Sequence, residues 1–199
     1  MNAAAPAAAD PAAPVTAGVA VAILGAGAWG TALAVALSAG GPVRLWSHRV
    51  VQATELADRR VNERYLPDVA LPPAVSVSAD LATAVGGAGL VVMAVPVSGV
   101  AGLCQTLAGL GSAVFPRTVP LALAAKGFER PSGRLLHEVV AAALPGQSVV
   151  AISGPTFAAE LARHQPTALV VAAATHALAE AVALRLRQPW LRAYSTTDL

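Results

Sequence analysis

A chain of 199 residues can bury a sizeable core without staples, and its one cysteine, Cys104, excludes a disulfide framework or a multi-cysteine metal site. Hydrophobic residues make up 56% and charged residues 12%, which excludes disorder over most of the length. The net charge of +2, from 13 basic and 11 acidic side chains, is too sparse to track a nucleic-acid backbone.

Residues 1–17 are rich in alanine and proline and lack the basic and Leu-rich regions of a secretory signal, so they read as an unstructured tail. Residues 18–199 are then one domain. A mean hydropathy of +0.63 raises the question of a membrane span. No charge lies between Asp10 and Arg44, or between Asp80 and Arg117. Glycines interrupt both intervals and no basic cluster flanks either, so covered parallel strands followed by alanine-rich helices are expected, without membrane insertion.

In chain order, residues 19–24 read as a strand, 29–39 as an apolar helix, 43–47 as a second strand and 50–59 as a short polar helix. Residues 62–73, with three prolines, read as a loop. A brief strand at 75–77 precedes a helix at 80–85 with Asp80 as its cap. Residues 90–95 are the most strand-like run, with a helix starting just past Pro96. Strands at 118–123, 149–152, 168–172 and 191–194 alternate with helices at 132–143, 156–163 and 176–187. Such alternation predicts parallel pairing through right-handed crossovers: an α/β fold with a doubly wound, mostly parallel, Rossmann-like sheet.

Gly25-Ala26-Gly27-Ala28-Trp29-Gly30 matches G-x-G-x-x-G where it leaves the first strand and opens the first helix. There Gly25 permits the turn, Gly27 lets a pyrophosphate approach the backbone, and Gly30 allows close helix–strand packing. The helix amides supply the anion site. The second strand ends in Trp46-Ser47-His48-Arg49, with no acid before Glu55. An acid there would hold a ribose diol, whereas Arg49 with His48 and Ser47 pairs with a 2′-phosphate. NADP(H) is therefore expected over NAD(H), which the turn also accommodates.

Lys126, the one lysine, follows the fifth strand at the sheet edge where ligands bind, placed to bind a phosphate or polarise a carbonyl. Pro96-Val97-Ser98 reaches the same edge. Ser153-Gly154-Pro155-Thr156 offers exposed amides at Gly154, a proline suited to the first helical position and a hydroxyl. His48, His137, His164 and His176 show no metal-ligand spacing, and no metal is expected. G-x-S-x-G and G-K-[ST] motifs do not occur.

The segments ILGAGAWGTALA (23–34), LWSHR (45–49), NERYLPDVALP (62–72), AVPVSGV (94–100), AAKGFER (124–130), ISGPTFAAELA (152–162) and YSTTDL (194–199) resemble, in order, those of the bacterial NAD(P)+-dependent glycerol-3-phosphate dehydrogenases. The resemblance implies hydride transfer between NAD(P)H and dihydroxyacetone phosphate, giving sn-glycerol 3-phosphate for glycerophospholipid synthesis in the cytoplasm. It places Ala28, Trp29, His48, Arg49, Lys126 and Ala158 around the dinucleotide, and Lys126, Gly154 and Thr156 against the substrate. Ala28 departs from the serine that many members carry. The family also has a helical C-terminal domain that supplies a second lysine for proton transfer, and this sequence stops before it. The expectation is a nucleotide-binding half, inactive alone, with Lys126 as candidate substrate-polarising residue and no catalytic residue assigned. A homodimer is compatible with the complete enzyme. The alternative is a non-catalytic dinucleotide-binding module.

Overall fold

The structure, a computed structural model, describes residues 18–130 and 132–199; the expected tail at 1–17 lies outside them. The first half of the main sheet is built from β1 (Val21–Leu24), β2 (Val43–Trp46), β5 (Val75–Ser78) and β6 (Leu90–Met93). It continues through β7 (Leu121–Leu123), β8 (Val149–Ser153), β9 (Thr167–Ala173) and β10 (Leu191–Thr196). The helices are α1 (Ala28–Leu37), α2 (Val50–Arg59), α3 (Leu81–Val85), α4 (Val97–Gly109), α5 (Leu136–Ala143), α6 (Ala158–Ala162) and α7 (His176–Leu186).

The eight strands lie in the order β10-β9-β8-β7-β6-β1-β2-β5. Side chains alternate across the sheet, and the two faces bury different residues. Val21 and Ile23 of β1, with Leu90 and Val92 of β6, pack with α1, α6 and α7. Ala22 and Leu24, with Val91 and Met93, pack with α3, α4 and α5. Covering on both faces explains the unbroken apolar strands that raised the hydropathy. Among the described residues no helix is long and apolar enough to cross a membrane.

The sheet departs from the parallel expectation at one place: β8 and β9 are antiparallel, and β9 then pairs parallel with β10. A parallel crossover must carry the chain back along the whole strand. The five residues of α6 rise only about 8 Å, so the chain re-enters the sheet at the edge it has just left.

The stretch expected as a loop at 62–73 is instead a hairpin of β3 (Val61–Asn62) and β4 (Leu66–Ala70). It buries Leu66, Val69 and Leu71 against the α1 side of the core. A two-stranded ribbon leaves an outer edge unpaired on each strand, so Pro67 within β4 is tolerated. Two helices are shorter than expected. Leu135 N–H donates to Glu138 Oε2 at 2.9 Å and sets the start of α5 at Leu136. Because α6 begins at Ala158 after Phe157, Pro155 does not occupy its first position. The Asp80 cap forms as expected, accepting from Thr83 N–H at 2.8 Å.

Several arginines serve the fold. Arg44 on β2 donates to the Thr83 and Gly86 carbonyls at the end of α3, groups that a helix end leaves without partners. Arg60, left-handed at φ 58°, donates to the Pro72 and Val75 carbonyls at 2.6 and 2.8 Å.

Candidate functional site

Chain direction across the sheet reverses at β1: β2 and β5 extend to one side, and β6 returns on the other. The crevice at the carboxyl ends of β1 and β6 is the switch point where open α/β sheets bind ligands. Ala94 N–H donates to Leu24 O at 2.8 Å, and Gly25 N–H to Trp46 O at 2.9 Å, so the three strand ends stay in register at its floor.

The glycines of the first turn differ in what limits them. Gly25 has φ +118°, and a Cβ there would lie 2.4 Å from Ala94 O. A Cβ on Gly30 would lie 1.9 Å from Gly25 O. Both are required for packing. At Gly27 a Cβ would meet nothing within 4 Å, although this residue caps α1. No side chain caps that helix end, and its first turn carries no acid. Unpartnered helix amides facing open space beside a residue without a side chain suit an anion such as a dinucleotide's diphosphate.

At the end of β2, Ser47 is 1% exposed. Its hydroxyl donates to Gln52 Oε1 at 2.8 Å and accepts from Arg49 N–H at 3.2 Å. The expectation that Ser47 faces a phosphate is therefore corrected: its one hydroxyl proton points inward. His48 and Arg49 are exposed, and among the described residues the Arg49 guanidinium has no hydrogen-bond or ion-pair partner. His48 lines a largely apolar groove of about 420 Å³ with Trp46, Pro96 and Ser98. Arg49 faces a different groove, of about 300 Å³, between α2 and the hairpin.

Further along the edge, a cleft of about 290 Å³ gathers Ala28, Trp29, Lys126, Gly154, Thr156 and Ala158. They come from the starts of α1 and α6 and the turns after β7 and β8, and all were singled out in the sequence. The Lys126 ammonium donates to Gly154 O at 3.0 Å. Gly154 is itself forced, since a Cβ would lie 2.6 Å from Ala168 O on β9. Lys126 also lines a depression of about 780 Å³ with Ser98 and Phe128. Through the shared Ser98 and Lys126, three hollows adjoin from His48 to Phe157.

Sequence reasoning gave no role to two exposed aromatics on this edge, Phe157 at 71% and Phe128 at 62%; aromatic residues flanking the SGPT and KGFE turns were the available signal. It also missed Gln52 and Asn62. Gln52 Nε2 donates to Ala26 O at 2.8 Å, and buried Asn62 Nδ2 donates to Ala26 O at 3.1 Å and to Thr31 Oγ1 at 2.7 Å.

The family described as "NAD-dependent glycerol-3-phosphate dehydrogenase N-terminus" matches residues 20–179. A glycerol-3-phosphate dehydrogenase [NAD(P)+] of Chelativorans sp. is 46% identical over 180 residues, covering 90% of this chain and 54% of its own length. The Deinococcus radiodurans protein of the same name is 47% identical over 186 residues, covering 93% and 54%. The crystal structure of glycerol-3-phosphate dehydrogenase from Coxiella burnetii superposes with a TM-score of 0.84 at 34% identity, covering 92% of this chain and 55% of that one. The chain thus spans about half the length of the curated relatives it matches.

Proposed function

Since the chain belongs to the NAD-dependent glycerol-3-phosphate dehydrogenase N-terminal family, we propose that it forms the dinucleotide-binding half of an enzyme interconverting sn-glycerol 3-phosphate and dihydroxyacetone phosphate. NADP(H) is the preferred cofactor in this reading and NAD(H) the second. The observation that carries it is the convergence of Ala28, Trp29, Lys126, Gly154, Thr156 and Ala158 on one cleft beside the switch point.

We assign the diphosphate to the α1 amides beside Gly27, the 2′-phosphate to Arg49 with His48 adjacent, and the substrate to Lys126, Gly154 and Thr156. When bound, the nicotinamide supplies or accepts the hydride exchanged with C2 of the substrate. Lys126 spends one N–H on Gly154 O, which holds the ammonium over the cleft and leaves two donors for a carbonyl or phosphate oxygen. Negative charge developing on that oxygen is stabilised by the ammonium. Proton delivery to the oxygen is assigned to no residue of this chain. A small phosphorylated substrate fits a cytoplasmic enzyme, and a homodimer is compatible with its complete form.

The test is fluorescence titration of the purified chain with NADPH and NADH, then with dihydroxyacetone phosphate on the loaded chain. Saturable binding of reduced dinucleotide, followed by binding of the phosphotriose, is expected. Failure of both dinucleotides to bind at millimolar concentration would refute the reading.

A further inference from the structure

The glycine turn and the turn after β2 that carries Ser47, His48 and Arg49, here the selector turn, are joined by side chains as well as by the sheet. Ala26 O, inside the glycine turn, accepts from Gln52 Nε2 at 2.8 Å. The other end of the Gln52 amide, Oε1, accepts from Ser47 Oγ at 2.8 Å, and Ser47 Oγ accepts from Arg49 N–H at 3.2 Å. The amide orientation follows from its partners: a carbonyl only accepts, so Gln52 must present nitrogen to Ala26 and oxygen to Ser47. Ala26 O has a second, independent holder in Asn62, which is 2% exposed and also donates to Thr31 Oγ1 on α1.

Gln52 is the third residue of α2, counted from its first residue Val50. From that position a side chain commonly turns back to the helix's own cap. Here it crosses 26 residues of sequence to the other turn. Arg49 is exposed with its guanidinium unpartnered among the described residues, so its placement depends on its backbone. That backbone N–H is held by Ser47, and Ser47 by Gln52.

We infer that Gln52, acting through Ser47, is a positioning residue that registers the selector turn to the glycine turn, so that discrimination between 2′-phosphorylated and plain adenosine dinucleotides depends on this relay. The inference rests on the dinucleotide reading above. Cutting the relay at Gln52 or Ser47 releases the Arg49 N–H and leaves that residue held only by its carbonyl, which accepts from Ala53 N–H at 2.9 Å, while Asn62 keeps the glycine turn in place. Only the contact with a 2′-phosphate is then lost. Removing Asn62 leaves Gln52 on Ala26 O but breaks the bond to Thr31 Oγ1 that ties the glycine turn to α1, and every dinucleotide uses that turn and helix start.

The experiment compares the unaltered chain with Gln52→Ala, Ser47→Ala, their double variant and Asn62→Ala, each titrated with NADPH and with NADH. Gln52→Ala and Ser47→Ala should each weaken NADPH by about five- to tenfold, the scale of one hydrogen bond to an ordered partner. NADH should change by less than about twofold, and the double variant should be no weaker than the worse single, because both changes cut one relay. Asn62→Ala should weaken both dinucleotides alike. Amide exchange on the unliganded chains gives a readout without cofactor: the Arg49 N–H should lose protection in both Gln52→Ala and Ser47→Ala. Equal losses for both dinucleotides in those variants, additive losses in the double variant, or unchanged Arg49 exchange would overturn the inference. Failure of the unaltered chain to bind either dinucleotide would overturn the dinucleotide reading, with the exchange result still deciding whether the relay holds the turn. Should Gln52→Ala not fold, Ser47→Ala carries the same comparison.

Discussion

Replacing Gly27 by alanine puts a methyl group where nothing beyond its own chain neighbours lies within 4 Å, at a residue whose φ of −79° suits any amino acid. Alanine is a poorer helix cap than glycine by about 1 kcal/mol. Reduced freedom of the unfolded chain returns about 0.4–1 kcal/mol, so the net change in stability should stay within about 0.5 kcal/mol. Gly30→Ala, three residues on, drives a methyl group to 1.9 Å from the Gly25 carbonyl oxygen. That neighbour is backbone and cannot rotate away, so α1 must lift from β1, at a cost above about 3 kcal/mol. Thermal unfolding should therefore show Gly27→Ala within about 2 °C of the parent and Gly30→Ala lower by about 6–12 °C. In NADPH titration Gly27→Ala should lose at least about tenfold in affinity, or 1.4 kcal/mol, because the added methyl stands at the proposed diphosphate site. A stable Gly27→Ala chain that binds NADPH like the parent would refute the placement of the diphosphate. A Gly30→Ala chain with the parent's melting temperature would refute the packing argument.

Arg49→Ala should weaken NADPH by at least about tenfold and leave NADH unchanged in calorimetric titration, since a charge-assisted contact to phosphate is worth about 1.5–3 kcal/mol; equal affinities before and after would remove Arg49 as selector. Lys126→Ala should weaken dihydroxyacetone phosphate at least about fivefold more than it weakens the dinucleotide; the reverse order would move Lys126 to the cofactor alone. Burial pushes the Cys104 thiol up from 9.0 to about 11. Its raised value in the fold means that the stabilising contribution is complete below about pH 9 and is lost as pH climbs towards 11. An aromatic disulfide reagent at pH 8 should thus label Cys104 only on unfolding, and Cys104→Ala should flatten the stability loss between pH 9 and 11; rapid labelling of the native chain would contradict its burial.

The strand–turn–helix units could be read from the chain because their causes are local. Runs such as LVVM at β6 are apolar throughout since both faces are covered. Asp80 accepts an amide three residues away, and Gly25 occupies a φ that side chains disfavour. The placement of Lys126, Gly154 and Thr156 was legible for the same reason: topology sends every parallel strand's carboxyl end to one edge, and each of the three follows such a strand.

Other features were settled only when distant parts met. The hairpin of β3 and β4 was hidden by prolines that an edge tolerates. The antiparallel entry of β9 followed from the shortness of α6, whose true start at Ala158 no periodicity marked. Ser47 stood beside Arg49 as an apparent phosphate ligand, yet its hydroxyl is claimed by Gln52. Asn62 carried no motif, but folding brings it to Ala26, 36 residues earlier. Periodicity and turn chemistry act within a few residues and are written along the chain. Which buried polar atom finds which partner depends on the closure of long loops and on the register of strands, and those exist only in the assembled fold.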